Sequence, residues 1–179
     1  LKTVLVNVGL YQAGWFACVL GGAHGFPLLG AAIGLGLLLV HLTLCRERGK
    51  EIVTVLLAGL TGTIADSIQA FSGVFVFLSG HWSPWAVPLW ISVMWLQFGT
   101  LFHFALGWLS GRYLLSALLG AFGGPMAFLT GERLGAATFP KGHGFSLLAL
   151  AIVWAFVLPL LVFIADRCKP ARKTYRIFD

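Results

Sequence analysis

One carboxylate stands where hydrocarbon is expected. Asp66 lies within Gly59-Leu60-Thr61-Gly62-Thr63-Ile64-Ala65-Asp66-Ser67-Ile68-Gln69-Ala70-Phe71-Ser72-Gly73, inside a run apolar enough to read as a membrane span. An ionisable group at mid-bilayer costs at least about 2.5 kcal/mol, so such a residue faces protein or water rather than lipid. Helical spacing gathers Gly59, Gly62, Thr63, Asp66, Gln69, Ala70 and Gly73 on one small, polar face, opposite Leu57, Leu60, Ile64, Ile68, Phe71 and Val74. Two readings of that face stay open. Asp66 is either a proton, cation or polar-ligand site, or a hydrogen-bonded staple between helices.

Few other residues could join it. His103 shares a face with Gly99, Thr100 and Gly107, and Gln97 lies deeper on the same run. Asp66, Gln69, Gln97, Thr100 and His103 therefore form the candidate ligand-binding or proton site. Asp66 lies some fifteen residues from Glu51, roughly 22 Å along a helix, and His103 only about 10 Å from the end of its own run, so a break, a water or Gln97 would have to connect them. Asn7 and Gln12 are expected as buried amides in hydrogen bonds between helices. His41 and Cys45, four apart, could face one metal ion, but two donors fall short of the three or four of a zinc site, and no metal is expected. Glu132-Arg133 reads as a local ion pair at a membrane interface. The sequence contains no H-E-x-x-H, P-loop or G-x-S-x-G, so neither an enzymatic activity nor a cofactor is defined.

The elements that must position these residues are helices. Of 179 residues, 59% are hydrophobic and 10% charged, against about 25% charged in a soluble domain. This predicts an all-α, polytopic transmembrane bundle of six spans, at about 3–21, 26–44, 52–78, 87–109, 113–130 and 145–165, with a basic tail over 167–179. The third run is too long for one straight crossing, and a break at Thr61-Gly62-Thr63 would relieve it. Small-x-x-x-small spacings at Ala13 and Ala17, at Gly30 and Gly34, and at Ser116, Gly120 and Gly124 mark where helices approach closely. Pro125 and Pro159 fall inside the fifth and sixth runs.

Charge sets the orientation. Lys2, Arg46, Arg48, Lys50, Arg112, Arg167, Lys169, Arg172, Lys173 and Arg176 fall on one side, and Arg133 and Lys141 on the other. The rich side is expected in the cytoplasm, with both termini. The net charge of +6 thus meets anionic lipid head groups rather than nucleic acid. On the opposite side His81-Trp82-Ser83-Pro84-Trp85 resembles an interfacial aromatic belt. The three cysteines, Cys18, Cys45 and Cys168, form no disulfide pattern.

Three stretches carry a resemblance: Tyr11-Gln12-Ala13-Gly14-Trp15-Phe16-Ala17-Cys18-Val19-Leu20-Gly21, the Asp66 run, and Gly123-Gly124-Pro125-Met126-Ala127-Phe128-Leu129-Thr130-Gly131-Glu132-Arg133-Leu134-Gly135. Together with His103, Trp108 and Gly111-Arg112, their order resembles a family of small uncharacterised bacterial inner-membrane proteins, a domain of unknown function. The resemblance implies a bacterial inner-membrane location and a genetic context of lipid modification, but no activity. The span count and Ala13-x-x-x-Ala17 are also similar to the substrate-binding components of energy-coupling vitamin transporters. The expectation is a protein that binds or handles a lipid or hydrophobic small molecule in a bundle cavity, with Asp66 as anchor. A small-molecule transporter, proton-coupled or vitamin-binding, and a structural subunit of a membrane complex are the alternatives.

Overall fold

A computed structural model describes residues 1–171 and Tyr175. Arg172, Lys173 and Arg176 of the basic tail lie outside the described residues. The chain is all-helical in its main elements: α1 (Lys2–Ala23), α2 (Pro27–Leu44), α3 (Arg48–Phe71), α4 (Leu89–Gly99), α5 (Tyr113–Arg133) and α6 (His143–Arg167). Five of these are long and apolar enough to cross a membrane; α4, with 11 residues, is not. Lipid-facing side chains such as Leu114, Phe122 and Phe156 are more than 70% exposed, which only a hydrocarbon solvent makes stable over so many positions. The protein is a membrane-spanning helical bundle.

Local chemistry sets the ends. Pro27 occupies the first turn of α2, where a missing N–H costs nothing. The C-terminus of α3 closes through Gly73, whose φ of 69° favours glycine, with the Val74 amide donating back to the Gln69 carbonyl. The same closure recurs after α5 at Gly135, φ 85°, where the Ala136 amide donates to Gly131. Each closure turns the chain into a two-residue strand, β1 (Val76–Phe77) and β2 (Ala137–Thr138), and these pair antiparallel to tie the α3–α4 and α5–α6 connections at one end of the bundle.

The helices pack chiefly as α1 on α2, α3 on α4 and α5 on α6, with α4 also lying against α1 and α2. The small residues act as foreseen at two of these contacts. A Cβ on Gly30 would stand 2.5 Å from the Ala17 carbonyl oxygen, and one on Gly120 would stand 2.2 Å from that of Trp154. On α1, however, Ala13 is exposed and Gly14 faces the bundle.

Two stretches depart from the expected helices. α3 runs without interruption through Thr61-Gly62-Thr63 and ends at Phe71, so the long third run is shortened by leaving the helix rather than by breaking it. Segment 87–109 is helical only to Gly99, then proceeds by turns to a 3-10 turn at Gly107–Leu109. It still traverses the bundle, because the Val87 amide meets Ser67 near the C-terminal end of α3 and His103 meets Glu51 near its start. Backbone freed beyond Gly99 is satisfied from α1: Asn7 Nδ2 donates to the Thr100 carbonyl and Asn7 Oδ1 accepts from the Ala105 amide. The other expected amide, Gln12, is exposed rather than buried.

Candidate functional site

The polar face of α3 is the buried face. Gly59, Gly62, Asp66 and Gln69 are buried, while Leu57, Leu60, Ile64, Ile68 and Phe71 are exposed to the surroundings. Its small residues seat α4: a Cβ on Gly59 would stand 2.3 Å from Leu96, and one on Gly62 would stand 1.8 Å from the ring of Trp95. With Trp95 so held, its Nε1 donates to Asp66 Oδ2 at 2.6 Å, and Gln69 Nε2 reaches Oδ1 at 3.5 Å. The staple therefore exists, and its partner is an indole that the sequence did not single out.

Asp66 is also a cavity residue. It lines a pocket together with Tyr11 and Trp15 of α1, Trp90, Trp95 and Phe98 of α4, Phe128 of α5 and Trp154 of α6. Trp95 stacks on Trp154 with centroids 4.9 Å apart and planes 24° from parallel, and Gly124 makes room for the Trp154 ring, where a Cβ would stand 2.2 Å away. Phe77 and Ala137 of the strand pair also line it. The walls are aromatic and apolar, and Asp66 is the sole acid among the described lining residues. Such a space suits a hydrophobic molecule with one polar group.

The remaining candidates lie elsewhere. Gln97 points away from Asp66 toward α1 and α2, filling the room left by Gly14 and Gly34, where Cβ atoms would stand 1.7 and 2.3 Å from its amide. That amide is 2% exposed, and neither of its heteroatoms has a hydrogen-bond partner among the described residues; the same holds for Gln69 Oε1. Thr100 belongs to the Asn7 contact. The five residues thus divide among three places: Asp66 and Gln69 by the cavity, Gln97 in the α1–α2 groove, and Thr100 and His103 in the turns after α4.

His103 takes part in a second polar centre, at the opposite end of α3. Its Nδ1 stands 2.6 Å from Glu51 Oε2, and its Nε2 donates to the Ala165 carbonyl at 3.1 Å. The other oxygen of Glu51 lies 2.9 Å from His41 Nε2, and Tyr175 Oη contacts His41 Nδ1 at 2.8 Å. Cys45 Sγ stands 3.4 Å from the same His41 Nε2. His41, Cys45, Glu51, His103 and Tyr175 are each at most 2% exposed. Burial, and then the charge of Glu51, push the Cys45 thiol up to about 12, and burial raises the Tyr175 phenol. The i, i+4 spacing of His41 and Cys45 and the buried His103 were the visible signals of this centre. Glu51 was not, because a Glu between Lys50 and a helix start reads as a solvated interfacial charge. Glu132 pairs with His143 at 3.0 Å, in place of the local pair expected with Arg133.

With this geometry in view, the comparisons define kinship rather than activity. The chain belongs to the family described as protein of unknown function (DUF2878), whose model matches residues 4–160. No curated protein and no solved structure matches it.

Proposed function

We propose that this member of the DUF2878 family is a bacterial inner-membrane protein, with both termini cytoplasmic, that binds or handles a lipid or other hydrophobic small molecule in its aromatic cavity. Asp66 anchors the polar group of that molecule, with Gln69 behind it. The observation that carries the reading is a carboxylate held by Trp95 at the wall of an aromatic-lined pocket. A pure staple needs the hydrogen bond but not the space. Gln97, Thr100 and His103 lie off the cavity and have no part in this reading.

Native mass spectrometry of the detergent-released protein tests it. The wild-type chain should carry a small-molecule adduct that diminishes at least tenfold in Asp66→Asn. Gly131→Leu gives an independent arm, because Gly131 lines the cavity and a Cβ there meets nothing within 4 Å. It should fill the space and displace the adduct while the protein stays folded. Equal occupancy in all three proteins would overturn the proposal, and loss of folding confined to Asp66→Asn would return that residue to a structural role.

A further inference from the structure

The second polar centre gathers a ring nitrogen, a thiol sulfur and a carboxylate oxygen at one buried point. The Ala165 carbonyl can only accept, so His103 Nε2 carries a proton, and a second proton is shared between His103 Nδ1 and Glu51 Oε2. Every atom on that side is matched. On the other side His41 Nε2 faces both Glu51 Oε1, at 2.9 Å, and Cys45 Sγ, at 3.4 Å. Without an ion the His41 ring and the Cys45 thiol supply the hydrogens for these contacts, and the three atoms still converge on one point.

Such a point suits a metal ion. With Zn–N and Zn–O bonds of about 2.0–2.1 Å and Zn–S of about 2.3 Å, tetrahedral donors stand roughly 3.3–3.7 Å apart. The ligand atoms of His41, Cys45 and Glu51 all lie within 4.8 Å of one another, and all three residues are buried. Each histidine or carboxylate ligand also has its outer atom engaged, as metal ligands require for orientation: His41 Nδ1 by Tyr175 Oη, and Glu51 Oε2 by His103 Nδ1. The elements enforce the set. His41 and Cys45 share a face at the end of α2, and the short turn to α3 brings Glu51 back beside them.

We propose that His41 Nε2, Cys45 Sγ and Glu51 Oε1 form a binding site for a thiophilic divalent transition metal, Zn²⁺ being the best match, with a fourth position for water. A nitrogen, a sulfur and one carboxylate oxygen disfavour Mg²⁺ and Ca²⁺, which take oxygen donors. Binding releases the thiol proton to solvent, and the thiolate and carboxylate together balance the charge of the ion. The site is independent of the aromatic cavity.

Cobalt tests it on the full chain in detergent after chelator treatment. Titration with Co²⁺ should saturate at one ion per chain with a near-ultraviolet thiolate-to-cobalt charge-transfer band, and Zn²⁺ should displace it. Cys45→Ser should abolish that band, and His41→Ala should weaken Co²⁺ binding at least tenfold. Zinc-edge X-ray absorption of the wild-type protein decides the matter even where a variant does not fold, because it should contain one sulfur scatterer at a Zn–S distance. No saturable Co²⁺ binding, a charge-transfer band that survives Cys45→Ser, or a zinc shell of nitrogen and oxygen alone would overturn the proposal.

Discussion

Trp95 joins the two descriptions of Asp66, because its N–H holds the carboxylate and its ring forms the cavity wall. Trp95→Phe keeps most of the ring and removes the donor at 2.6 Å. The buried carboxylate then loses its shortest hydrogen bond, a cost of about 1–3 kcal/mol. Thermal unfolding in detergent should register it as a lowered Tm, with cavity occupancy reduced less than in Asp66→Asn. Gln97 has the opposite sign. Its amide lacks partners among the described residues, so Gln97→Met, of similar volume, should be neutral or stabilising. The Asp66 and Gln69 face was legible because small and polar residues recur at helical spacing. The direction of Gln97 was not, since Gly14 and Gly34, which make its groove, lie on two other helices and carry no side chain to reveal a partner.

At the level of elements, the close α1–α2–α4 contact depends on those two glycines. Gly14→Ala should destabilise by about 1–3 kcal/mol, because the added Cβ would stand 1.7 Å from Gln97 Oε1. Most of that loss should disappear in the double variant Gly14→Ala, Gln97→Ala, and a double-mutant cycle on Tm measures the coupling. Helix ends place the thiols at different depths of burial. Cys168, at the end of α6, is partly exposed, whereas Cys18 and Cys45 are buried. Maleimide at neutral pH should label Cys168 alone until the protein is denatured. The early end of helix α4 was not legible: residues 100–106 contain no proline and stay apolar apart from Thr100 and His103. Asn7 and Glu51, far away in sequence, decide the matter.

Across the whole molecule, α1 packs on α2 and α4 while α5 packs on α6, and the cavity occupies the space between α1 and α5. Filling it should raise stability while removing occupancy. Gly131→Ala alone should gain about 0.5–1 kcal/mol from reduced freedom of the unfolded chain, and Tm should rise accordingly. The membrane class was legible from composition, since only lipid tolerates so much exposed Leu and Phe. The convergence of His41, Glu51, His103 and Tyr175 was not, because it joins α2, α3, the turns after α4 and the chain beyond α6.

The irregular course after Gly99 also orders events during assembly. An 11-residue helix is roughly 16 Å long, about half of the hydrocarbon thickness. The turns that follow bond largely among themselves, but the Thr100 carbonyl and the Ala105 amide are met by Asn7 of α1, and Glu51 of α3 receives His103. The first and third helices must therefore be in the bilayer before the fourth segment can take its final shape. The final shape of that segment thus depends on neighbours that precede it in the chain.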